Sequence, residues 1–152
     1  MIFTKKPDMR FIEMCGKAED LQRLKNEDEE KYGWKNAEDA YYALPFDEIY
    51  YRCMGVPEPS LGQCEKIWWI PNQKQMQDII ARDVEKYVDV MEKMTLVEKQ
   101  EVVFATMIDA INNWAKIHTE FCTFDQVWLS YLMKYKFNKI WVNGEFGEWI
   151  NL

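Results

Sequence analysis

The chain has 152 residues, 48% of them apolar and 15% aromatic, with 26 Asp and Glu against 19 Lys and Arg for a net charge of −7. That length suits one domain, able to bury roughly 70% of the surface its unfolded form exposes. The acidity and the presence of only four arginines (Arg10, Arg23, Arg52, Arg82) exclude general nucleic-acid binding, which needs a basic face, and no apolar run approaches the ~20 residues of a membrane helix or forms the apolar core of a secretion signal.

Taken in chain order, Pro7-Asp8 opens a first helix carrying Phe11, Ile12, Met14 and Cys15, which is expected to close near Gly16. A charged, peripheral helix follows near Lys17–Lys31, anchored by Leu21 and Leu24. The acidic runs Glu27-Asp28-Glu29-Glu30 and Glu38-Asp39 read first as a solvated face and second as a surface competing for a basic groove. Asn36 is placed to cap a helical segment over Ala37–Leu44, and after Pro45 a helical pattern resumes over Phe46–Met54. These residues make up an acidic helical N-terminal part, 1–55, followed by a Pro- and Gly-rich loop over 56–66.

Trp68-Trp69-Ile70 then reads as a strand, and Pro71 starts a helix whose Met76, Ile79, Ile80, Val84, Tyr87, Val88 and Met91 form one apolar stripe. Thr95-Leu96-Val97-Glu98 has the spacing of a capping box. The helix it opens is apolar on more than one face, from Val102 to Ile117, which places it at the centre of the core. Thr123-Phe124-Asp125-Gln126 repeats the capping spacing ahead of Val127–Tyr135, completing the core helices over 71–137. Over 139–151 the period changes to that of a β-hairpin on an Asn143-Gly144 turn, whose tryptophans must pack on helices because an isolated hairpin is marginal in water. The expected fold is mainly α: a single-domain helical bundle over 1–152 with a short C-terminal β-hairpin packed on it.

Few residues invite chemistry. His118 and Cys122, four apart, would share a face on a continuous helix as a zinc pair or a thiol centre requires. However, Cys53 and Cys64 are too widely spaced to complete an ordinary zinc set, and residues 119–123 carry a helix break. The four cysteines are therefore read as free thiols, with no metal and no cofactor expected. Asp109 reads as a carboxylate at the solvent boundary of its helix. The six glycines form no phosphate-binding loop, so no catalytic residue is assigned. The tryptophans are read first as core bulk. They are next a partner surface, since Trp is enriched at interface hot spots, and then a stacking pocket for a planar, nucleotide-like ligand. The candidate binding set is Trp68, Trp69, Gln73, Gln77, Trp141 and Asn143. One of the adjacent Trp68 and Trp69 should be the more exposed, because neighbours in a strand face opposite ways.

The run Trp69-Ile70-Pro71-Asn72-Gln73-Lys74-Gln75-Met76-Gln77-Asp78 resembles a Trp-Leu-Pro-x-Gln-x-Gln-Leu-Gln-Glu pattern found in small uncharacterised proteins of tailed bacteriophages and prophages. Ile70 and Met76 stand in place of its leucines. Trp128-Leu129-Ser130-Tyr131-Leu132-Met133-Lys134 and Lys139-Ile140-Trp141 match the Trp-rich helix and Lys-x-Trp hairpin of the same proteins, so the likeness covers about the second half of the chain. It implies an origin, a product working in a bacterial host cytoplasm, and carries no activity or site residue. The functional expectation is a non-enzymatic acidic interaction protein, a phage accessory factor that binds and modulates a host protein or pairs with itself. The alternatives are a small-ligand binder using a Trp/Gln-lined pocket, and a zinc or thiol protein centred on His118 and Cys122.

Overall fold

In a computed structural model of the chain, the residues described are 8–32, 39–44, 48–51, 66–88, 95–143 and 147–152. They form a mainly α-helical protein with a C-terminal β-hairpin, divided into two compact units: Met1–Asn72 with Trp141–Ile150, and Gln73–Ile140 with Asn151–Leu152. Among the described residues, no helix is long and apolar enough to cross a membrane.

The first unit begins with α1 (Met9–Lys17), where the Asp8 carboxylate caps the helix by accepting from the Phe11 N–H at 3.1 Å. Phe11, Ile12, Met14 and Cys15 are buried along one face, as their spacing requires. Gly16 does not end the helix, which continues to Lys17. Helix α2 (Glu19–Tyr32) follows after Ala18. Strands β1 (Ala40–Leu44), β2 (Glu48–Tyr51) and β3 (Lys66–Ile70) form an antiparallel sheet in the order β2-β1-β3.

The helical reading of 37–44 and 46–54 is thereby corrected for the residues described. The alanines and charges suggested a helix, but Tyr41, Tyr42, Ile49, Tyr50 and Tyr51 are residues that suit a pleated surface. The cross-strand partners Tyr42 and Trp68 stack with ring centroids 6.0 Å apart, a contact that a local helix could not make. The expected cap at Asn36, Pro45, and the loop up to residue 65 lie outside the described residues.

The second unit packs α3 (Gln73–Val88), α4 (Leu96–Ile117) and α5 (Phe124–Phe137) against one another. At Thr95 both halves of the capping box are present. At Thr123 the hydroxyl accepts from the Gln126 N–H, while the Gln126 side chain accepts from the N–H of Cys122, one residue before the cap. The expectation that α4 is the central helix is also corrected. Only Val103, Met107 and Ile111 of α4 are buried, whereas α5 buries every residue from Gln126 to Met133. Helix α5 can be enclosed because its polar residues are satisfied within the unit: Ser130 donates to the Val127 carbonyl and accepts from the Trp114 indole, both at 2.8 Å. Asn138 caps α5 with φ of 55°, a left-handed conformation that Asn tolerates.

The hairpin pairs β4 (Lys139–Val142) with β5 (Glu148–Asn151). Gly144 of the expected Asn143-Gly144 turn lies, with residues 145 and 146, outside the described residues. Within the first unit the hairpin's tryptophans pack on α1 as expected: the Trp149 indole donates to the Met14 carbonyl at 2.8 Å, and Lys17 donates to the Gly147 carbonyl at 2.7 Å.

Candidate functional site

Four of the six candidate binding residues, Trp68, Trp69, Trp141 and Asn143, fall in the first unit. Gln73 and Gln77 fall on the first turns of α3 in the second. Trp69 is 5% exposed and Trp68 is half-buried, the asymmetry expected of neighbours in a strand. The indole of Trp68 lies flat on α1 at Gly16, where an added Cβ would sit 2.3 Å from ring atom Cδ2.

The backbone of Trp69 is gripped by Gln22 of α2, whose side chain accepts from the Trp69 N–H at 2.8 Å and donates to its carbonyl at 2.9 Å. Gln22 thus takes the place of a neighbouring strand along the β3 edge, which blunts an edge open to pairing. Beside it, Lys25 meets the fully buried Asp39 at 2.9 Å and lies 5.1 Å from the Trp69 ring centroid. The burial of Asp39 against this ammonium overturns its expected place on a solvated acidic face. The Trp69 Nε1 atom is buried with no hydrogen-bond partner among the described residues.

Trp141 repeats the arrangement of Trp68. Its ring covers Gly147, where a Cβ would sit 2.2 Å away, and its Nε1 donates to the Asn143 side chain at 2.8 Å. The Asn143 side-chain oxygen is therefore engaged by its own neighbour. Gln73 is exposed and Gln77 half-buried.

In the second unit, His118 is the C-cap of α4, and the chain turns away before Cys122. The two do not share a helical face, which removes the geometry that a zinc or thiol pair would have used. His118 Nδ1 is 3.2 Å from the Glu120 carboxylate, and the exposed Cys122 thiol lies 3.8 Å from the Glu120 carbonyl. Among the described residues, no group of three His, Cys, Asp or Glu is placed to hold a metal ion. Asp109 is exposed, as its boundary reading required.

His118 instead stacks on Trp114, with centroids 3.8 Å apart, and Trp114 meets Tyr131 and Tyr135 edge-on at 5.9 and 6.0 Å. Burial, and then the neighbouring Tyr135 phenol, hold the Tyr131 hydroxyl above its usual pKa.

A feature that was not singled out in the sequence lies on the solvent side of α4. Val97 and Phe104 are 63% and 62% exposed, and Leu96 at the start of the helix is 71% exposed. Val97, Glu101, Phe104 and Ile108 follow alternating spacings of four and three residues, which on an α-helix make one continuous seam. The seam deepens along the helix: Ile108 is half-buried, and Ile111, the next residue in register, is 4% exposed. The signal was present in the sequence as an excess of apolar residues over what one core-facing stripe needs. A scan of protein families, a search of curated proteins and a search of solved structures each return no match, so the reading rests on the residues themselves.

Proposed function

We propose that the chain is a non-enzymatic interaction protein that binds a partner through the solvent-facing seam of α4. The observation carrying this reading is the exposure of Val97 and Phe104 at interlocking helical spacing on a capped, 22-residue helix. Isolated apolar residues on a surface need no explanation, whereas exposed apolar residues recurring on one helical face suit a partner surface. The phage-like resemblance of the second half favours a partner in a bacterial host, with the protein acting as an accessory factor that modulates it. The test is affinity capture from bacterial lysate with the wild-type chain and with Phe104→Asp. A specific protein retained by the first and lost by the second is the expected result; recovery of nothing specific by the wild type counts against the reading.

One observation favours a second reading, a small-ligand binder: the buried Trp69 Nε1 has no partner among the described residues. Native and denatured masses of the purified protein decide it, since a retained ligand adds mass only in the native spectrum.

A further inference from the structure

The seam on α4 is apolar except at its centre, where it carries Glu101. This carboxylate is exposed and makes no hydrogen bond or ion pair among the described residues, although Glu98, three residues earlier, is used in the cap. We infer that the segment docking on this seam is an amphipathic helix bearing a Lys or Arg between two apolar anchors, the basic group meeting Glu101 and the anchors meeting Val97 and Phe104–Ile108. The inference rests on the proposed function and gives its partner a chemistry.

A helix laid along the seam takes Glu101 partly out of water, and a carboxylate desolvated without a counter-charge is disfavoured. A wholly apolar partner leaves that cost standing. A second copy of the chain does no better. In a parallel pairing Glu101 faces its own counterpart, and like charges in an interface are repelled. In an antiparallel pairing centred on the seam, Glu101 of each copy faces Phe104 of the other, leaving two unpaired carboxylates.

A partner helix with a basic residue at this position satisfies the charge and keeps both apolar anchors, with its side chains repeating at three- and four-residue spacing. The long-range field agrees, because the net charge of −7 draws a basic segment toward the protein and repels an acidic one.

Two synthetic amphipathic helical peptides test this on the full chain. Both carry leucines at alternating three- and four-residue spacing; one has Lys at the central seam position and its twin has Glu. Fluorescence anisotropy should show the wild-type protein binding the Lys peptide roughly three- to tenfold more tightly than the Glu twin. Glu101→Lys should reverse the preference, and Phe104→Asp should abolish binding of both. Both substitutions are at exposed positions, and circular dichroism checks that the variants fold.

If both peptides bind equally to wild type and to Glu101→Lys, yet fail with Phe104→Asp, the basic-helix inference falls and the docking seam stands. If neither peptide binds, or if Phe104→Asp leaves binding intact, the seam itself falls and the inference with it. Sedimentation of the wild type as a dimer that Phe104→Asp dissociates would make a second copy the occupant and overturn the inference.

Discussion

The two units treat their large apolar side chains in opposite ways. In the first, the indoles of Trp68 and Trp141 are laid directly on glycine backbone, and Trp149 is tied to the Met14 carbonyl. In the second, α5 is enclosed on every side over Gln126–Met133, while α4 leaves Val97, Phe104 and Ile117 well exposed. Charge divides along the same line. The first unit's stretches carry sixteen Asp and Glu against ten Lys and Arg, and the second unit's carry ten against nine. Acidity keeps a protein soluble, and most of the net charge falls in the stretches of the first unit. The tryptophans, the most conspicuous residues of the sequence, are therefore mostly occupied, and the less conspicuous Val97 and Phe104 are not.

The first unit is most sensitive to substitution at Asp39. This residue is fully buried and paired with Lys25, which is itself only 12% exposed. Asp39→Ala removes the buried carboxylate from the ammonium beside Trp69, and removing one partner of a buried pair costs about 3–5 kcal/mol. Chemical denaturation should show a loss of that size; a loss below 1 kcal/mol would mean that the pair is open to water and the first unit less tightly closed than described.

Next in size is Gly16→Ala. Intrinsic helix preference favours Ala over Gly by about 1 kcal/mol, so on propensity alone this substitution stabilises α1. The added methyl, however, would meet the Trp68 ring at 2.3 Å, and overpacking of this kind costs about 1–3 kcal/mol. A net destabilisation, accompanied by a changed tryptophan fluorescence, is the expected outcome. A stabilised protein would show that the indole can move aside.

In the second unit, Ser130→Ala removes the acceptor of the Trp114 indole N–H and costs roughly 1 kcal/mol. The effect stays below that of a fully buried orphan because half-buried Trp114 can recover part of its bond from water. A control pairing Ser130→Ala with Trp114→Phe should show less than additive loss.

What could be read from the sequence follows from how local the determinants are. The caps at Asp8, Thr95 and Thr123, the strand at Trp68-Trp69-Ile70 and the terminal hairpin are set within a few residues, and all are found where the pattern placed them. The strands at Ala40–Leu44 and Glu48–Tyr51 were misread because their stability comes from pairing: Tyr42 finds Trp68 twenty-six residues away, a partner that local periodicity cannot reveal. The roles of α4 and α5 were exchanged for a related reason. An all-round apolar helix is expected in the core; α5 qualifies only once the internal bonds of Gln126 and Ser130 are known, and α4 breaks the rule by exposing what it should bury. Of the six candidate binding residues, Trp68, Trp69 and Trp141 make contacts within the first unit, while the exposure of Val97, Glu101 and Phe104 is legible only once α4 is placed in its unit.

Places where a local rule is broken without structural benefit tend to be functional. Phe104→Ser gives the smallest expected change in stability and the clearest separation of the two units. Phe and Ser have similar helix propensity, and a side chain 62% exposed gives up little burial, so stability should stay within about 0.5 kcal/mol of wild type. Solubility should rise as an exposed ring is removed. If Phe104 instead proves worth 2 kcal/mol or more in denaturation, it belongs to the core of the second unit, and the seam loses its central anchor. An unchanged melting temperature together with lost peptide binding would leave recognition as the reason for an exposed phenylalanine on a well-capped helix.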